Sequence, residues 1–201
     1  MKLDHVTFTG PAVDDHDLLD RLPKALTGVL QQTNGFIQYH GGLHVRGACH
    51  APAWHSLRDA WIGDDAFHQH YPEMTPDDIP FGEDSLGDQF FLREGIAWRL
   101  FAETGEIESL EMNFSQFMAS VQNDPIEELA LQPLMQFQED GGNLEPGQLL
   151  SAHPPFCTEE AEDGVTVSAV PSAERHRFLA EFAAKIRDLP DGEQVDIEVG
   201  D

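Results

Sequence analysis

The strongest hydrophobic pattern in the chain lies in residues 79–101, where short apolar runs are bounded by glycine and aspartate. Such runs predict strands, and we place them at 79–81, 89–92 and 96–101. Alternating apolar side chains predict a sheet with one buried face, which would carry Phe81, Phe90, Leu92, Trp98 and Leu100. Phe91 interrupts the alternation. The segment as a whole is predicted to form the centre of an antiparallel sheet.

Helical and extended patterns alternate on both sides of this segment. Apolar positions with helical spacing predict helices within 11–32, 54–62, 114–121, 124–137 and 172–189. Further strands are predicted at 6–8, 36–39, 43–45, 107–112, 165–170 and 194–199. Residues 144–164 are predicted to be mostly loop. The last three elements therefore form a C-terminal strand–helix–strand extension.

The helix that follows the central strands has the clearest local signals. Asn113 is a suitable N-cap, and Gln116 stands three residues later, as in a capping box. The apolar residues of this helix recur with helical spacing at Phe114, Phe117, Met118 and Val121. We interpret this stripe as part of the core rather than as a cofactor-binding face.

Length and cysteine content limit the class of protein. With 201 residues, 40% of them hydrophobic, the chain can bury a sizeable core in one domain, with or without an appendage. No apolar run could cross a bilayer, and the first ten residues lack the apolar segment of a signal peptide. Cys49 and Cys157 make neither a disulfide framework nor a CxxC pair, so reduced thiols and a cytoplasmic location are expected.

Charge is the most unusual property of the composition. The formal net charge is -26, and no lysine or arginine lies between Arg99 and Arg175. Such a field disfavours nucleic acid and anionic membranes, and it favours a basic protein partner. We select the acidic segments 64–83 and 159–163 as the candidate partner surface, with Asp64, Asp65, Asp77 and Asp78 as its binding residues. Adaptation to high salt is the alternative explanation of the same composition.

Histidines give the best case for chemistry. Several lie within residues 40–70, and a metal could be held by His40 with His44, or by His68 with His70 near Asp64 and Asp65. Gly41 and Gly42 oppose a helix between the first pair, and no CxxC, HExxH or calcium-loop motif is present. The sequence also lacks a GxSxG elbow and a P-loop. We therefore predict no metal, no cofactor and no enzymatic activity.

The block Pro80-Phe81-Gly82-Glu83-Asp84, followed by Gly87-Asp88-Gln89-Phe90-Phe91-Leu92 and Trp98, resembles the SUKH superfamily. That superfamily includes fungal glucan synthesis regulators and bacterial toxin immunity proteins. The resemblance covers roughly residues 22–121. It implies an α+β fold in which helices pack around a twisted, mainly antiparallel sheet. We accordingly divide the chain into a SUKH-like core domain at 1–123 and an extension at 124–201, packed on the same domain.

The resemblance also implies a function. Bacterial members of the superfamily bind and neutralise toxins, so an immunity protein with a basic toxin domain as partner is expected. Two alternatives remain: an intracellular scaffold or regulator of the same fold, and a metal-dependent hydrolase built on residues 40–70. The resemblance transfers no binding residue. The motif positions Gly82, Asp84, Gly87, Asp88 and Trp98 are expected to have structural roles.

Overall fold

A seven-stranded antiparallel sheet forms the centre of the molecule. The structure is a computed structural model that describes Leu3 and residues 5–189. Strand order in the sheet follows chain order, as in a continuous meander. The strands are β1 (Phe8–Thr9), β2 (Phe36–Gln38), β3 (Leu43–Val45), β4 (Ile79–Asp84), β5 (Gln89–Arg93), β6 (Ile96–Leu100) and β7 (Ile107–Asn113). The segment 79–101 therefore supplies the fourth to sixth strands, and its predicted central place is confirmed.

Helices and a second, two-stranded sheet surround this meander. The helices are α1 (His16–Leu19), α2 (Lys24–Gln32), α3 (Leu57–Ile62), α4 (Phe114–Asn123), α5 (Pro125–Glu128), α6 (Gln132–Glu139) and α7 (Ser172–Ile186). The second sheet pairs β8 (Gln148–His153) with β9 (Thr166–Pro171) in antiparallel register. The predicted α+β class is thus confirmed. No described helix is long and apolar enough to cross a membrane.

Both faces of the central strands are covered, which corrects the expectation of a single buried face. Across β5 and β6, Phe90 pairs with Arg99 and Phe91 pairs with Trp98. Because side chains alternate along a strand, Trp98 lies on the Phe91 face and not beside Phe90. Trp98 is also only half-buried. Phe91 does not interrupt the pattern, since it belongs to a second apolar layer.

Each face packs on a different part of the chain. On one face, the rings of Phe81 and Phe90 contact Phe117 of α4, with centroids 5.5 and 4.7 Å apart. On the other face, Phe91 and Leu100 pack in a cluster that includes Leu179 of α7. The predicted capping box at the start of α4 is present, with Asn113 as its N-cap. Helix α4 therefore begins at its predicted N-cap and packs on the face of the sheet that carries Phe81 and Phe90.

Several predicted elements are shorter or different. The helix expected at 54–62 is divided, because Ser56 is extended and caps α3 after a 3₁₀ turn at Ala53–His55. The helix expected at 124–137 is divided into α5 and α6. Strand β8 lies where mostly loop was predicted, so α6 is followed by a hairpin of β8 and β9 and then by α7. The strand predicted at 194–199 lies outside the described residues.

The C-terminal elements contribute to the same apolar core as the meander. Leu129, Leu134 and Leu150 are buried in one cluster with Phe81, Phe90 and the apolar face of α4. The backbone N–H of Leu150 also donates to the carbonyl of Ser85, at 2.8 Å. Residues after 124 thus complete the apolar core. Helix α7 also covers a polar part of the sheet, where His176 contacts Glu83.

Candidate functional site

Glu83 lies at the centre of a buried polar cluster on the α7 side of the sheet. One carboxylate oxygen is 2.8 Å from His44 Nδ1. The other is 2.8 Å from Arg46 Nη2, 2.7 Å from His176 Nε2 and 3.1 Å from Gln89 Nε2. These five side chains are called the Glu83 network below. The carboxylate has four donors, although its side chain is almost completely shielded from water.

Strand register explains how these residues meet. His44 of β3 pairs with Glu83 of β4, and Glu83 pairs with Gln89 of β5, so the three form a row across the sheet. Arg46 lies two residues after His44 and therefore points to the same face. Helix α7 crosses this face and supplies His176. The network thus joins three adjacent strands to the C-terminal helix.

A third histidine extends the network toward the edge of the sheet. His44 Nε2 lies 2.8 Å from His55 Nδ1, and His55 Nε2 lies 2.9 Å from the backbone carbonyl oxygen of Asn34. The two rings are nearly parallel, with centroids 5.1 Å apart. A continuous chain of contacts therefore runs from Glu83 through both imidazoles to Asn34.

Three glycines make room for the His55 ring. A Cβ at Gly10 would lie 2.4 Å from His55 Nε2, a Cβ at Gly35 would lie 2.5 Å from Cε1, and a Cβ at Gly47 would lie 2.7 Å from Nε2. Real Cβ atoms do not approach other atoms so closely. Gly35 also has a positive φ of 75°, which side chains rarely adopt. The imidazole is consequently enclosed by backbone and held in one position.

Electrostatics favours a charged Glu83 and neutral imidazoles at His44 and His55. Burial would raise the pKa of Glu83, but the charge of Arg46 and the bonds with His176 and His44 hold it well below its usual range. Burial lowers the pKa of His44, against the opposing hydrogen bond with Glu83. Burial, together with the nearby His44, lowers the pKa of His55 to about 4. The carboxylate therefore acts only as an acceptor, and the nitrogens facing it must carry protons.

A small cavity of about 10 Å³ adjoins the network, between the main sheet and the C-terminal hairpin. Its size corresponds to roughly one water molecule. The residues that give it polar character are His44, Trp54, Glu83, Glu145, Gln148 and Ser172. The cavity is therefore large enough for one water molecule beside Glu83 and His44.

The predicted motif residues build the turn between β4 and β5. One oxygen of Asp84 accepts hydrogen bonds from the backbone N–H groups of Leu86, Gly87 and Asp88, at 2.9 to 3.1 Å. Its other oxygen accepts from Arg99 at 2.8 Å, and Arg99 also bonds to Asp88 at 2.7 Å. Burial, followed by the neighbouring charge of Asp88, raises the pKa of Asp84 to about 7. Asp84 and Asp88 thus shape the turn internally.

The remaining motif residues are determined by close packing with their neighbours. A Cβ at Gly82 would lie 2.7 Å from the carbonyl oxygen of His44 on the paired strand. Gly87 has a φ of 99°, and a Cβ there would lie 2.8 Å from Leu179 of α7. Trp98 stacks on Phe91 with ring centroids 6.3 Å apart. These contacts are ones that the strands and α7 need in order to pack.

The four aspartates selected as a partner surface are divided by the structure. Asp64, Asp65 and Asp77 are exposed. Asp78 is buried, because both of its oxygens bond to Arg93, at 2.8 and 2.7 Å, and one also accepts from the N–H of Thr75. Its carboxylate is therefore unavailable to a partner. The segment 64–83 likewise ends inside the molecule, at Glu83.

The three exposed aspartates belong to neighbouring loops. The indole N–H of Trp61 donates to the carbonyl of Pro76 at 2.9 Å, which brings the end of α3 against the turn at residues 75–78. Asp64 and Asp65 follow Trp61 closely, and Asp77 follows Pro76. The second acidic segment, Glu159–Asp163, forms an exposed 3₁₀ turn in the connection between β8 and β9.

The histidines considered as metal ligands do not converge. His44 lies in the Glu83 network, whereas His40 is exposed in a turn with a positive φ of 55°. His70 contacts the carboxylate of Asp65 and lies after the 3₁₀ turn Phe67–Gln69. Within the described part of the chain, no three histidine, cysteine or acidic side chains are placed to hold a metal ion. Cys49 and Cys157 are both free thiols.

Sequence reasoning missed the Glu83 network. Its members come from β3 and the residue after it, from β4 and β5, and from α7, and the sheet register together with the packing of α7 brings them together. One signal was available: the predicted strand at 79–81 continues into Glu83, which would place a carboxylate inside the sheet. An acid on a central strand requires partners, and buried carboxylates commonly find them in arginine and histidine.

Comparison with known proteins assigns the chain to no family. The chain matches no family model, no curated protein and no solved structure. A proposal of function therefore depends on the charges and contacts described above and on the resemblance in sequence.

Proposed function

We propose that this chain is a non-catalytic binding protein that neutralises a basic toxin domain by direct contact. The observation that carries the proposal is the internal pairing of its arginines. Carboxylates of the chain itself bind Arg46, Arg58, Arg93, Arg99 and Arg175. Because these positive charges are matched within the fold, much of the net charge of -26 is left to exposed aspartates and glutamates.

The exposed loops with Asp64, Asp65 and Asp77 are the proposed contact surface. Nucleases bind their substrates through clefts lined by lysine and arginine, and a dense carboxylate surface is complementary to such a cleft. Opposite charge raises the rate of association, and added salt reduces that rate because exposed charges are screened beyond about 8 Å at physiological ionic strength. The contact between Trp61 and Pro76 holds the two loops together, so the surface is presented as a unit.

The resemblance to the SUKH superfamily supports the same proposal. The motif residues Asp84 and Asp88 organise the β4–β5 turn through backbone and arginine bonds. A shared motif with an internal, structural task is consistent with a common scaffold whose binding surfaces differ among members. The chain would then be a SUKH-like protein with an acidic surface of its own.

The test is binding to a toxin domain encoded by an adjacent gene. We expect a stoichiometric complex that abolishes toxin activity, with association that is fast at low salt. A variant with Asp64→Asn, Asp65→Asn and Asp77→Asn should associate at least several-fold more slowly, since it loses three charges from one face. A matched control with Glu127→Gln, Glu139→Gln and Glu181→Gln removes three charges from exposed positions on α5, α6 and α7. It should have a much smaller effect.

Three outcomes would contradict the proposal. If no toxin gene is adjacent and the purified protein inhibits no basic toxin domain, the scaffold or regulator alternative is favoured. If both variants slow association equally, the interaction depends on total charge and not on these loops. Stability that rises steeply with salt, without any partner, would indicate that the acidity is an adaptation to a saline environment.

A further inference from the structure

The chain of contacts from Glu83 to Asn34 contains more acceptors than two neutral histidines can satisfy. At one end the carboxylate of Glu83 accepts, and at the other end the carbonyl oxygen of Asn34 accepts. His44 Nδ1 and His55 Nε2 must therefore both carry protons. The contact between the rings needs a third proton, on either His44 Nε2 or His55 Nδ1. Three hydrogen bonds thus require three protons on four nitrogens.

Two neutral imidazoles bring only two protons. The charge of Glu83 fixes one of them on His44 Nδ1. The proton of His55 can then serve either the contact with His44 or the contact with Asn34, but not both. In the neutral state one contact, at 2.8 or 2.9 Å, brings two lone pairs together inside the protein. Because the glycine enclosure holds the His55 ring in place, the ring cannot move far enough to relieve this contact.

A fourth proton is excluded for the same geometric reason. It would place N–H groups on both sides of the 2.8 Å gap between His44 Nε2 and His55 Nδ1. The pair can therefore hold two or three protons while its contacts are kept. This restricts the pair to a single proton-binding step, unlike two independent histidines.

The groups that face the pair from the adjoining elements affect that step. Glu83 on β4 favours the added positive charge, whereas Arg46 on β3 opposes it. His176 on α7 shares Glu83 with the pair, Gln89 on β5 is polar and uncharged, and Glu145 lines the adjoining cavity. On the β1 side the neighbour is the ring of Phe8, which has no charge. Burial lowers the pKa of both rings, so the pair takes up its proton at a pH below neutral.

We propose that His44 and His55 act as one proton-binding unit, which takes up a single shared proton on acidification and so completes the chain of hydrogen bonds from Glu83 to Asn34. This completion affects the corner where β1 joins the sheet. The residue after Asn34, Gly35, accepts the backbone N–H of Gly10 at 3.0 Å, next to β1. The shared proton therefore completes the hydrogen bonds that connect this edge to the centre of the sheet, and the number of those bonds depends on pH.

The experiment is a pH titration of the full chain labelled with ¹⁵N at histidine, followed by nuclear magnetic resonance. Ring nitrogen shifts report whether each nitrogen is protonated, and coupling across the hydrogen bond reports an N–H···N contact. We expect His44 and His55 to titrate together with one midpoint and a total uptake of one proton. Below the midpoint, coupling between His44 Nε2 and His55 Nδ1 and a proton on His55 Nε2 should be present together.

Variants identify the unit. His55→Gln should abolish the joint titration, whereas His153→Gln, which changes an exposed residue at the end of β8, should leave it unaltered. If His55→Gln does not fold, the titration of the unaltered chain decides alone. Independent midpoints, uptake of two protons, or two neutral rings down to the pH of unfolding would each overturn the proposal.

Discussion

Replacing Glu83 by glutamine tests whether the buried network determines stability. Glutamine has nearly the same shape as glutamate, so the packing against α7 and the paired strands is preserved. What changes is charge: Arg46, which is almost completely buried, loses its only carboxylate partner among the described ion pairs. His44 and His176 lose their anionic acceptor as well.

The size of the effect follows from the uncompensated guanidinium. Removing one partner of a buried ion pair typically costs about 3–5 kcal/mol, because the remaining charge stays desolvated without its counter-charge. Arg46 keeps hydrogen bonds to the carbonyl of Pro80 and to Gln89, at 3.0 and 2.7 Å. These bonds do not neutralise its charge. We therefore expect Glu83→Gln to lower the free energy of unfolding by about 3–5 kcal/mol.

A double-mutant cycle separates the ion pair from the rest of the network. Urea unfolding is measured for the unaltered chain, Glu83→Gln, Arg46→Met and the double variant. The double variant removes both charges, so its loss should be smaller than the sum of the two single losses by about 1–3 kcal/mol. A control, Lys24→Met, removes an exposed charge at the start of α2 and should change stability by less than about 0.5 kcal/mol.

Two results would refute this reasoning. Additive losses would mean that Glu83 and Arg46 do not stabilise one another. A change below about 1 kcal/mol in Glu83→Gln would mean that the charge is compensated in some other way. The pH dependence gives an independent check, since the pKa of Glu83 is lowered in the fold. The stability it contributes is present above its unfolded pKa near 4.5 and is lost as the pH falls further, and Glu83→Gln should remove that loss.

Three further predictions concern the surroundings of the network. Gly47→Ala should destabilise the fold by about 1–3 kcal/mol in urea unfolding, whereas Gly28→Ala, on an open helix surface, should stabilise it by about 0.5–1 kcal/mol. Since the pKa of His55 falls from 6.5 to about 4 on folding, its contribution is complete above pH 6.5 and decreases toward pH 4 by about 3 kcal/mol, measurable as unfolding against pH. Trp98→Ala should cost about 2–3 kcal/mol in thermal unfolding, because the ring is half-buried.

Local signals were sufficient for most of the fold. Turn residues and apolar runs located the strands of the meander, and the capping pair Asn113 and Gln116 located the start of α4. These local signals gave wrong predictions where the structure depends on contacts between residues far apart in the sequence. Phe91 looked like an irregularity because α7, nearly ninety residues later, covers its face. Strand β8 was missed for a similar reason, since its partner β9 follows a long acidic connection.

The Glu83 network shows why a site can be harder to predict than the fold that holds it. No single histidine of the network stands in a sequence motif that would identify its partners. The i, i+4 spacing of His40 and His44 suggested a pairing that the structure does not contain. The register of β3, β4 and β5 sets His44, Glu83 and Gln89 in a row, and a one-residue shift would turn them to the opposite face. Register depends on turns and bulges throughout the sheet, so composition and spacing cannot fix it. An acidic residue within an apolar central strand is the one feature of this network that can be recognised from the sequence. It signals that distant cationic or proton-donating partners must exist, without naming them.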